Sequence, residues 1–302
     1  MSQARLGRRF MRKWRQDALR IGTDPALDKP ELRRCLAPRG AIDGSAVEAT
    51  IIDITHEIDP FNAAEASYII SASYSSFPKG TVHLIGVDSE LNKENQHIAI
   101  QWNDHFFICA DNGILGMLTQ KIVPQKMVAI NIHDRLLSDA SDLDVFVTVA
   151  CHLAKGGLLN VIGREINSIK DVTEMQPLIS DDRSAIKGYV VYIDHLGNLV
   201  TNISKKLFLE VAKGRPYEIL LHERRTQKSK TNIKNIWARY SDVATSDKYP
   251  LKYYEGEKLA IFNEAQFLEI AVFKSNPSTV GTASTLLGIG YRDPITIQFQ
   301  NT

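Results

Sequence analysis

The sequence predicts an N-terminal α/β domain, with a parallel sheet and helices on both faces, followed by a small C-terminal β-barrel domain. A length of 302 residues exceeds one average domain. The first half alternates apolar strands with helices, which is typical of a parallel sheet covered on both faces. After Gly188 the chain changes to short strands and turns, which favours a small barrel or sandwich.

These patterns divide the chain into four segments. We expect a basic N-terminal segment of uncertain fold, then the α/β domain, a polar linker and the barrel domain. Their expected bounds are 1–38, 39–165, 166–186 and 187–302.

Composition limits the class of protein. Hydrophobic residues make up 44% and charged residues 24%, as in ordinary globular proteins, and no apolar run is long enough to span a membrane. The three cysteines are widely spaced and form no CxxC, which favours a reducing, cytoplasmic setting. The histidines form no HExxH, so no metal site is expected.

The first 40 residues carry a charge excess. They hold eleven Lys and Arg against four Asp and Glu. Such an arm could bind nucleic acid or an anionic membrane, or act as a targeting peptide. A poorly ordered extension is the favoured interpretation, because nothing later in the chain indicates nucleic-acid binding.

The first half reads as a βαβ unit. A strand over Ala49–Thr55 precedes a helix that opens at Asn62 with an Asn-x-x-Glu cap and ends near Phe77. The next strand, Thr81–Val87, ends on Asp88. Ligands of parallel sheets bind beyond the carboxyl ends of strands, which is where Asp88 falls.

A hairpin and two helices follow. Asn103-Asp104 separates two apolar runs. In the next polar turn, Asp111 or Asn112 could cap the helix that begins at Ile114, or the turn could help to form a binding cleft. Further on, a strand is expected over Met127–Ile130 and a helix over Val145–Lys155.

The second half contains five predicted strands and one helix, which begins at a Ser204 cap. Residues 223–256 are charged and are expected to form a surface excursion. The strands are predicted at 188–194, 217–222, 258–262, 267–273 and 295–299.

The most informative run is Gly188–Ile203, with the sequence GYVVYIDHLGNLVTNI. Two apolar runs flank a polar corner, so a hairpin is the simpler interpretation, with Gly197 at positive φ and Asn198 tolerating it. Alternatively, the Asp194 carboxylate and the Asn198 amide bind a polar ligand at the strand end.

Several motifs together resemble one family, the adenosine-forming S-adenosyl-L-methionine (SAM) hydrolases, or SAM hydroxide adenosyltransferases, which are related to the SAM-dependent fluorinase and chlorinase. The resemblance covers residues 39–299. It implies an α/β domain, a barrel domain and a homotrimer with its sites at subunit interfaces. The motifs are IIDITHEIDPFNAAEASYII, FPKGTVHLIGVD, HFFICADNGIL, VFVTVACHLAKGG, GYVVYIDHLGNLVTNI and LAIFNEAQFLEIAV.

The reaction implied by the resemblance is attack of water on the ribose 5′ carbon of SAM, with methionine as leaving group and no cofactor. In this family an Asp, an Arg and a His hold the attacking water, and Asp88 matches the Asp. The halogenating relatives carry tyrosine there, so Asp88 favours water over halide.

Two of the three water-holding positions differ from the family. Asn95 stands where the family has Arg, and Ser141 where it has His. Both can hydrogen-bond a water, but neither carries positive charge. The alternative function is therefore a catalytically weak or inactive protein that binds SAM or adenosine.

The resemblance also assigns substrate-binding residues. Asp194 and Asn198 match residues that hold the ribose and the methionine part, and Tyr240 matches an aromatic near adenine. Glu269 and Val272 match positions that line the site. The polar turn adds Asn112 to this set, whereas Glu264 stands where the family usually has Ser.

The N-terminus departs further. The family opens with a strand ending in Thr-Thr-Asp-Phe-Gly, and here Gly22-Thr23-Asp24 is a displaced counterpart with no apolar strand before it. The sequence predicts that this central strand is lost, or that residues 1–38 derive from a misassigned start or shifted frame. We expect the second.

Overall fold

The chain forms two compact units, Met1–Val172 and Thr173–Thr302. Their boundary falls within the segment 166–186 that the sequence predicts to be a linker. A computed structural model describes residues 19–21, 51–119, 122–136, 140–171, 176–222 and 229–300.

The first unit contains a seven-stranded sheet in the order β2-β1-β3-β5-β4-β6-β7. Strands β2, β1, β3 and β5 are parallel, whereas β4 and β7 run antiparallel to their neighbours. The predicted hairpin at Asn103-Asp104 joins β4 to β5 and makes the sheet mixed. The strands are β1 Leu19–Ile21, β2 Ile52–Asp53, β3 Val82–Ile85, β4 His97–Trp102, β5 His105–Ala110, β6 Lys126–Ile130 and β7 Gly163–Glu165.

Helices cover both faces of this sheet, as the sequence predicts. Alternate residues of β3 to β6 point to opposite sides, because successive side chains of a strand do so. One face packs against α1 and α2, and the other against α3 and α4. The helices are α1 Ala63–Ser73, α2 Ile114–Thr119, α3 Asp142–Ala154 and α4 Leu159–Ile162.

The start of α1 confirms the predicted cap. The Asn62 side chain accepts a hydrogen bond from the Glu65 backbone N–H at 3.2 Å. The Glu65 carboxylate accepts in return from the Asn62 side chain and from the Asp59 backbone N–H, both at 3.0 Å. A short 3₁₀ turn carries the helix on to Ser76, and Phe77 ends it.

Of the two alternatives for the N-terminus, loss of the central strand is wrong. Leu19–Ile21 forms β1, which lies between β2 and β3 and pairs in parallel with both. Only three residues pair, so the strand carries too little apolar pattern for sequence analysis to find it. Gly22-Thr23-Asp24 follow β1 directly but lie outside the described residues, as does the rest of the segment 1–38.

The second unit is a nearly closed barrel of nine strands. Eight form the order β12-β11-β16-β9-β10-β15-β14-β13, and β8 pairs with β9. The inward-facing residues form one apolar core, into which α5 and α6 also pack. The elements are β8 Leu178–Ile179, β9 Ala185–Ile193, β10 Leu199–Ser204, α5 Lys205–Ala212, β11 Tyr217–His222, β12 Ser229–Ile233, β13 Ile236–Trp237, β14 Lys258–Phe262, β15 Phe267–Val272, α6 Ala283–Leu287 and β16 Pro294–Phe299.

The predicted surface excursion over 223–256 is partly wrong. Within it, β12 pairs with β11, and β13 pairs in parallel with β14. Two 3₁₀ turns, Tyr240–Val243 and Leu251–Tyr254, occupy much of the remainder. The polar composition hid these strands, because their pairing depends on neighbours distant in sequence.

Within the described ranges, no helix combines the length and apolar character that crossing a bilayer requires.

Candidate functional site

In the first unit, the candidate site forms where β3 ends. Asp88 follows the strand in a left-handed backbone conformation, with φ of 46°, which Asp tolerates better than most residues. The Asn112 amide fixes this turn by donating to the carbonyl oxygens of Val87 at 2.8 Å and Asp88 at 3.1 Å. Within the described part of the chain, no hydrogen bond or ion pair holds the Asp88 carboxylate.

Asn112 therefore has a structural use. Its Oδ1 accepts from the Ile114 backbone N–H at 3.3 Å, as the capping alternative predicts. Both ends of the side chain are engaged by its own chain. The predicted contact between Asn112 and substrate remains a prediction.

Asp111 anchors a distant segment beside this turn. Its buried carboxylate accepts from the Lys170 backbone N–H at 2.8 Å. Burial raises the pKa of this carboxyl above its usual value, against the opposing effects of Lys170 and Gln96. The Asp111 backbone N–H also donates to the Gln96 carbonyl at 2.7 Å, so the Asp111 turn contacts both Gln96 and Lys170.

Lys170 is the functional candidate that the sequence analysis missed. Its ammonium donates to Asn95 Oδ1 at 2.8 Å. A positive charge therefore contacts the Asn95 side chain, although it comes from 75 residues further along the chain. The sequence held no local signal for this contact, because the two residues are far apart in the chain. Lys170 lies in the segment predicted to be a linker.

Ser141 is the N-cap of α3. Its Oγ accepts from the Asp144 backbone N–H at 3.3 Å and donates to the Asp144 carboxylate at 2.7 Å, and the Ser141 backbone N–H donates to the same carboxylate. This is a complete capping box. The hydroxyl is already engaged, so its predicted role in holding water would require it to share these bonds.

The next residue, Asp142, ties α3 to the loop after Asp88. Its Oδ2 accepts from the Leu91 backbone N–H at 3.0 Å, and its Oδ1 lies 3.7 Å from His97 Nε2. His97 is 1% exposed, and its ring nitrogens bond the Ser89 carbonyl at 2.9 Å and His133 at 3.1 Å. Burial lowers the pKa of His97, which favours the neutral ring.

In the second unit, the Gly188–Ile203 run forms the predicted hairpin. Strands β9 and β10 pair antiparallel, and Gly197 has φ of 73°. Asn198 does not have a positive φ, so within this corner only Gly197 needs the left-handed conformation. The Asp194 carboxylate accepts from the backbone N–H groups of Leu196 at 2.9 Å and Asn198 at 2.8 Å, and from the Asn198 amide at 3.1 Å.

Asp194 and Asn198 therefore contact each other within one turn. Asn198 is 5% exposed, and this internal bonding fixes the direction of both side chains. A ligand at the turn would meet a preformed arrangement and would lose little side-chain entropy on binding.

Glu269 lies on β15, beside β10. It is 5% exposed, and Tyr240 donates a short hydrogen bond to its carboxylate. Burial raises the Glu269 pKa, and the Asp194 charge raises it further, whereas Tyr240 and Asn263 lower it. Two carboxylates and a phenol thus interact in one part of the barrel.

Val272, at the end of β15, is 5% exposed and belongs to the barrel core. Little of its side chain is left for ligand contact. The predicted lining role for Val272 remains a prediction.

The chemistry of these groups is that of binding and of orienting water. The first unit offers the Asp88 carboxylate and the Asn95–Lys170 contact, and the second offers the acidic Asp194 and Glu269. Among the residues that the structure describes, no group of three or more His, Cys, Asp or Glu side chains is placed to hold a metal ion.

The chain is therefore of a two-domain class. An α/β unit with a carboxylate at a strand end is followed by a barrel with an acidic polar corner. Family models agree with this description. The SAM hydroxide adenosyltransferase N-terminal domain matches residues 37–163, and the C-terminal domain matches residues 188–296. The chain belongs to the SAM hydroxide adenosyltransferase family.

Individual relatives agree in sequence and in fold. The chain is 26% identical over 255 residues to a protein named (R)-S-adenosyl-L-methionine hydrolase from Methanocaldococcus jannaschii, with 83% of each chain covered. It is 25% identical to an uncharacterized conserved protein from Thermotoga maritima, with a TM-score of 0.71 and 93% and 99% of the two chains covered. A conserved hypothetical protein from Thermus thermophilus shares the fold at 18% identity, with a TM-score of 0.64 and coverage of 95% and 100%.

Proposed function

We propose that this protein hydrolyses SAM to adenosine and L-methionine. The observation that carries the proposal is Asp88, at the end of a central strand in a chain whose two halves both match the SAM hydroxide adenosyltransferase family. The relative from Methanocaldococcus jannaschii is named a hydrolase of (R)-SAM, which supports the same substrate class here.

In the proposed reaction, a water oxygen bonds to the ribose C5′ while the C5′–S bond breaks. The electron pair of that bond passes to sulfur and converts the sulfonium to neutral methionine, so no general acid is needed. One proton of the water passes to the Asp88 carboxylate and then to solvent, and the other stays on the new 5′-hydroxyl of adenosine. The protein must hold the water in line with the C5′–S bond and exclude other waters.

The negatively charged side chains of the second unit favour a cationic ligand. SAM carries a positive sulfonium and an ammonium group, and the acidic Asp194 and Glu269 would attract both charges. Burial strengthens such an interaction because the surroundings are less polar than water. We propose that Asp194, Asn198, Tyr240 and Glu269 bind substrate.

The experiment compares wild type with Asp88→Asn. Asparagine tolerates the left-handed backbone of this position, so the variant removes the charge without straining the turn. Adenosine and methionine are quantified separately with (R)-SAM and (S)-SAM. We expect wild type to release both products in equal amounts from at least one epimer, and Asp88→Asn to lose about a hundredfold or more in kcat.

Binding data complete the experiment. If wild type releases no adenosine from either epimer but binds SAM or adenosine in calorimetry, hydrolysis is excluded and the protein is a binding module. Equal turnover by wild type and Asp88→Asn would leave hydrolysis in place and remove the role of Asp88.

We also propose a homotrimer with sites at subunit interfaces and a cytoplasmic location. The first rests on the family resemblance, and the second on the cysteine pattern.

A further inference from the structure

We propose that Lys170 and Asn95 act as one unit, in which Lys170 orients and polarises the Asn95 amide so that its N–H donates to the attacking water. The inference rests on the proposed SAM hydrolysis. In this unit the Asn95 amide supplies the hydrogen-bond donor, and Lys170 supplies the positive charge that Asn95 itself lacks.

Backbone contacts fix the position of Lys170. Its N–H donates to the buried Asp111 carboxylate at 2.8 Å. Its carbonyl oxygen lies so close to α2 that a Cβ on Gly116 would meet it at 2.1 Å. Ile166 and Ile169 of the same segment pack against the apolar core of the first unit. The segment is therefore held on three sides, although the lysine side chain itself is exposed.

The contact with Lys170 determines which way the Asn95 amide faces. An ammonium group has three donors and no acceptor, so it can bond only the carbonyl end of the amide. Asn95 Oδ1 accordingly faces Lys170 at 2.8 Å. The Nδ2 group then points away from the ammonium, and within the described residues it donates to no protein group. It is therefore available to a water.

The turn that carries Asn95 is also fixed by its own chain. Asn92 Oδ1 accepts from the backbone N–H groups of Glu94 at 2.8 Å and Asn95 at 2.9 Å. Asn95 therefore leaves the turn in a defined direction. A preorganised donor of this kind stabilises developing charge without reorganising during the reaction.

Charge makes the amide a stronger donor. A cation on the carbonyl oxygen polarises the amide, and hydrogen bonds assisted by charge are stronger than neutral ones. The positive charge of Lys170 also repels the sulfonium of bound SAM, but the sulfonium charge disappears as the C5′–S bond breaks. Lys170 therefore favours the transition state over the bound substrate, and its removal should lower kcat without raising KM.

The first test is Lys170→Met, which keeps the length of the side chain and removes the charge. We expect kcat for SAM to fall on the order of ten- to a hundredfold, with KM unchanged or lower. Lys170→Arg keeps the charge and the donors and should remain close to wild type. Lys93→Met removes an exposed lysine from the loop that carries Asn95 and is the matched control, with kinetics like wild type.

Two further variants separate the donor from the structural contact. Asn95→Asp keeps an acceptor for Lys170 but removes the N–H, so it should lose activity while its melting temperature stays near that of wild type. Asn95→Arg supplies both donor and charge from one side chain. Placed in the Lys170→Met background, it should restore at least part of the lost kcat.

The outcomes are distinct. If wild type hydrolyses SAM and Lys170→Met or Asn95→Asp matches it in kcat, the two-residue unit is excluded while the proposed function stands. A fall in kcat with a matching rise in KM, or no rescue by Asn95→Arg, also overturns the inference. A wild type that releases no adenosine overturns the proposed function, and this inference with it.

Discussion

At the scale of single residues, most of the candidate polar side chains in each unit are bonded within their own turns. Asn112 holds the end of β3, Ser141 caps α3, and Asp194 accepts three hydrogen bonds from its own hairpin. Such turn and cap roles were predictable from the sequence, because Asn, Ser and Asp are favoured at these positions. Lys170 was not, because its partner Asn95 is distant in sequence.

Tyr240→Phe tests the acidic group of the barrel. The Tyr240 hydroxyl lowers the pKa of Glu269, so its loss should raise that pKa further. Protonation of Glu269 removes a negative charge, so we expect SAM binding to weaken as pH falls and to do so at a higher pH in the variant. Calorimetry between pH 5 and pH 8 measures this, with the exposed Tyr253→Phe as control. Identical pH profiles would contradict the prediction.

His83 predicts an acid-sensitive stability. It is fully buried against Phe107, its Nε2 bonds His105 Nδ1 at 3.1 Å, and burial lowers its pKa to about 3. Since the unfolded chain binds the proton more readily, the stability contributed above about pH 6.5 is lost as pH falls from there towards 3. At pH 5 this one group should remove about 2 kcal/mol relative to neutral pH.

The variant His83→Phe tests that contribution. It keeps an aromatic ring in the cluster and cannot be protonated, so its urea midpoint should change less between pH 7 and pH 5 than that of wild type. His195→Phe, at an exposed position, should behave like wild type. An equal pH dependence in wild type and His83→Phe would exclude the buried histidine as the cause.

At the scale of elements, strong local signals located most of the structure. The Asn62 cap fixed the start of α1, and the polar corner of Gly188–Ile203 fixed the hairpin of β9 and β10. Strands β1 and β12 were missed because short or polar segments become strands through pairing with partners far away in the chain. The α/β and barrel classes were predictable because they follow from the order of elements.

Gly197→Ala tests why the hairpin corner needs glycine. At φ of 73°, a Cβ would be strained and would also meet the Thr282 side chain at 2.2 Å. Gly214→Ala has a similar φ of 79° but nothing within 4 Å of the added Cβ, so it carries the backbone strain alone. We expect about 1 kcal/mol of destabilisation at Gly214 and roughly 2–4 kcal/mol at Gly197. Equal losses in urea unfolding would show that the Thr282 contact is unimportant.

At the scale of the whole molecule, the family match spans both units, which supports one function shared by the two. The proposed trimer leads to a prediction. If sites form at subunit interfaces, dilution should lower the specific activity as the trimer dissociates. Light scattering after gel filtration should give three times the chain mass at high concentration. Full activity from a monomer would contradict the proposal.

The place of Lys170 has a consequence for protein engineering. It lies two residues before the boundary at Val172, and its backbone and side chain both bond to the first unit. A chimera that exchanges the barrel of this protein for that of a relative should therefore keep the native chain through Val172. Joining the halves at residue 165 would discard the lysine, and a drop in turnover could then be mistaken for an incompatible barrel.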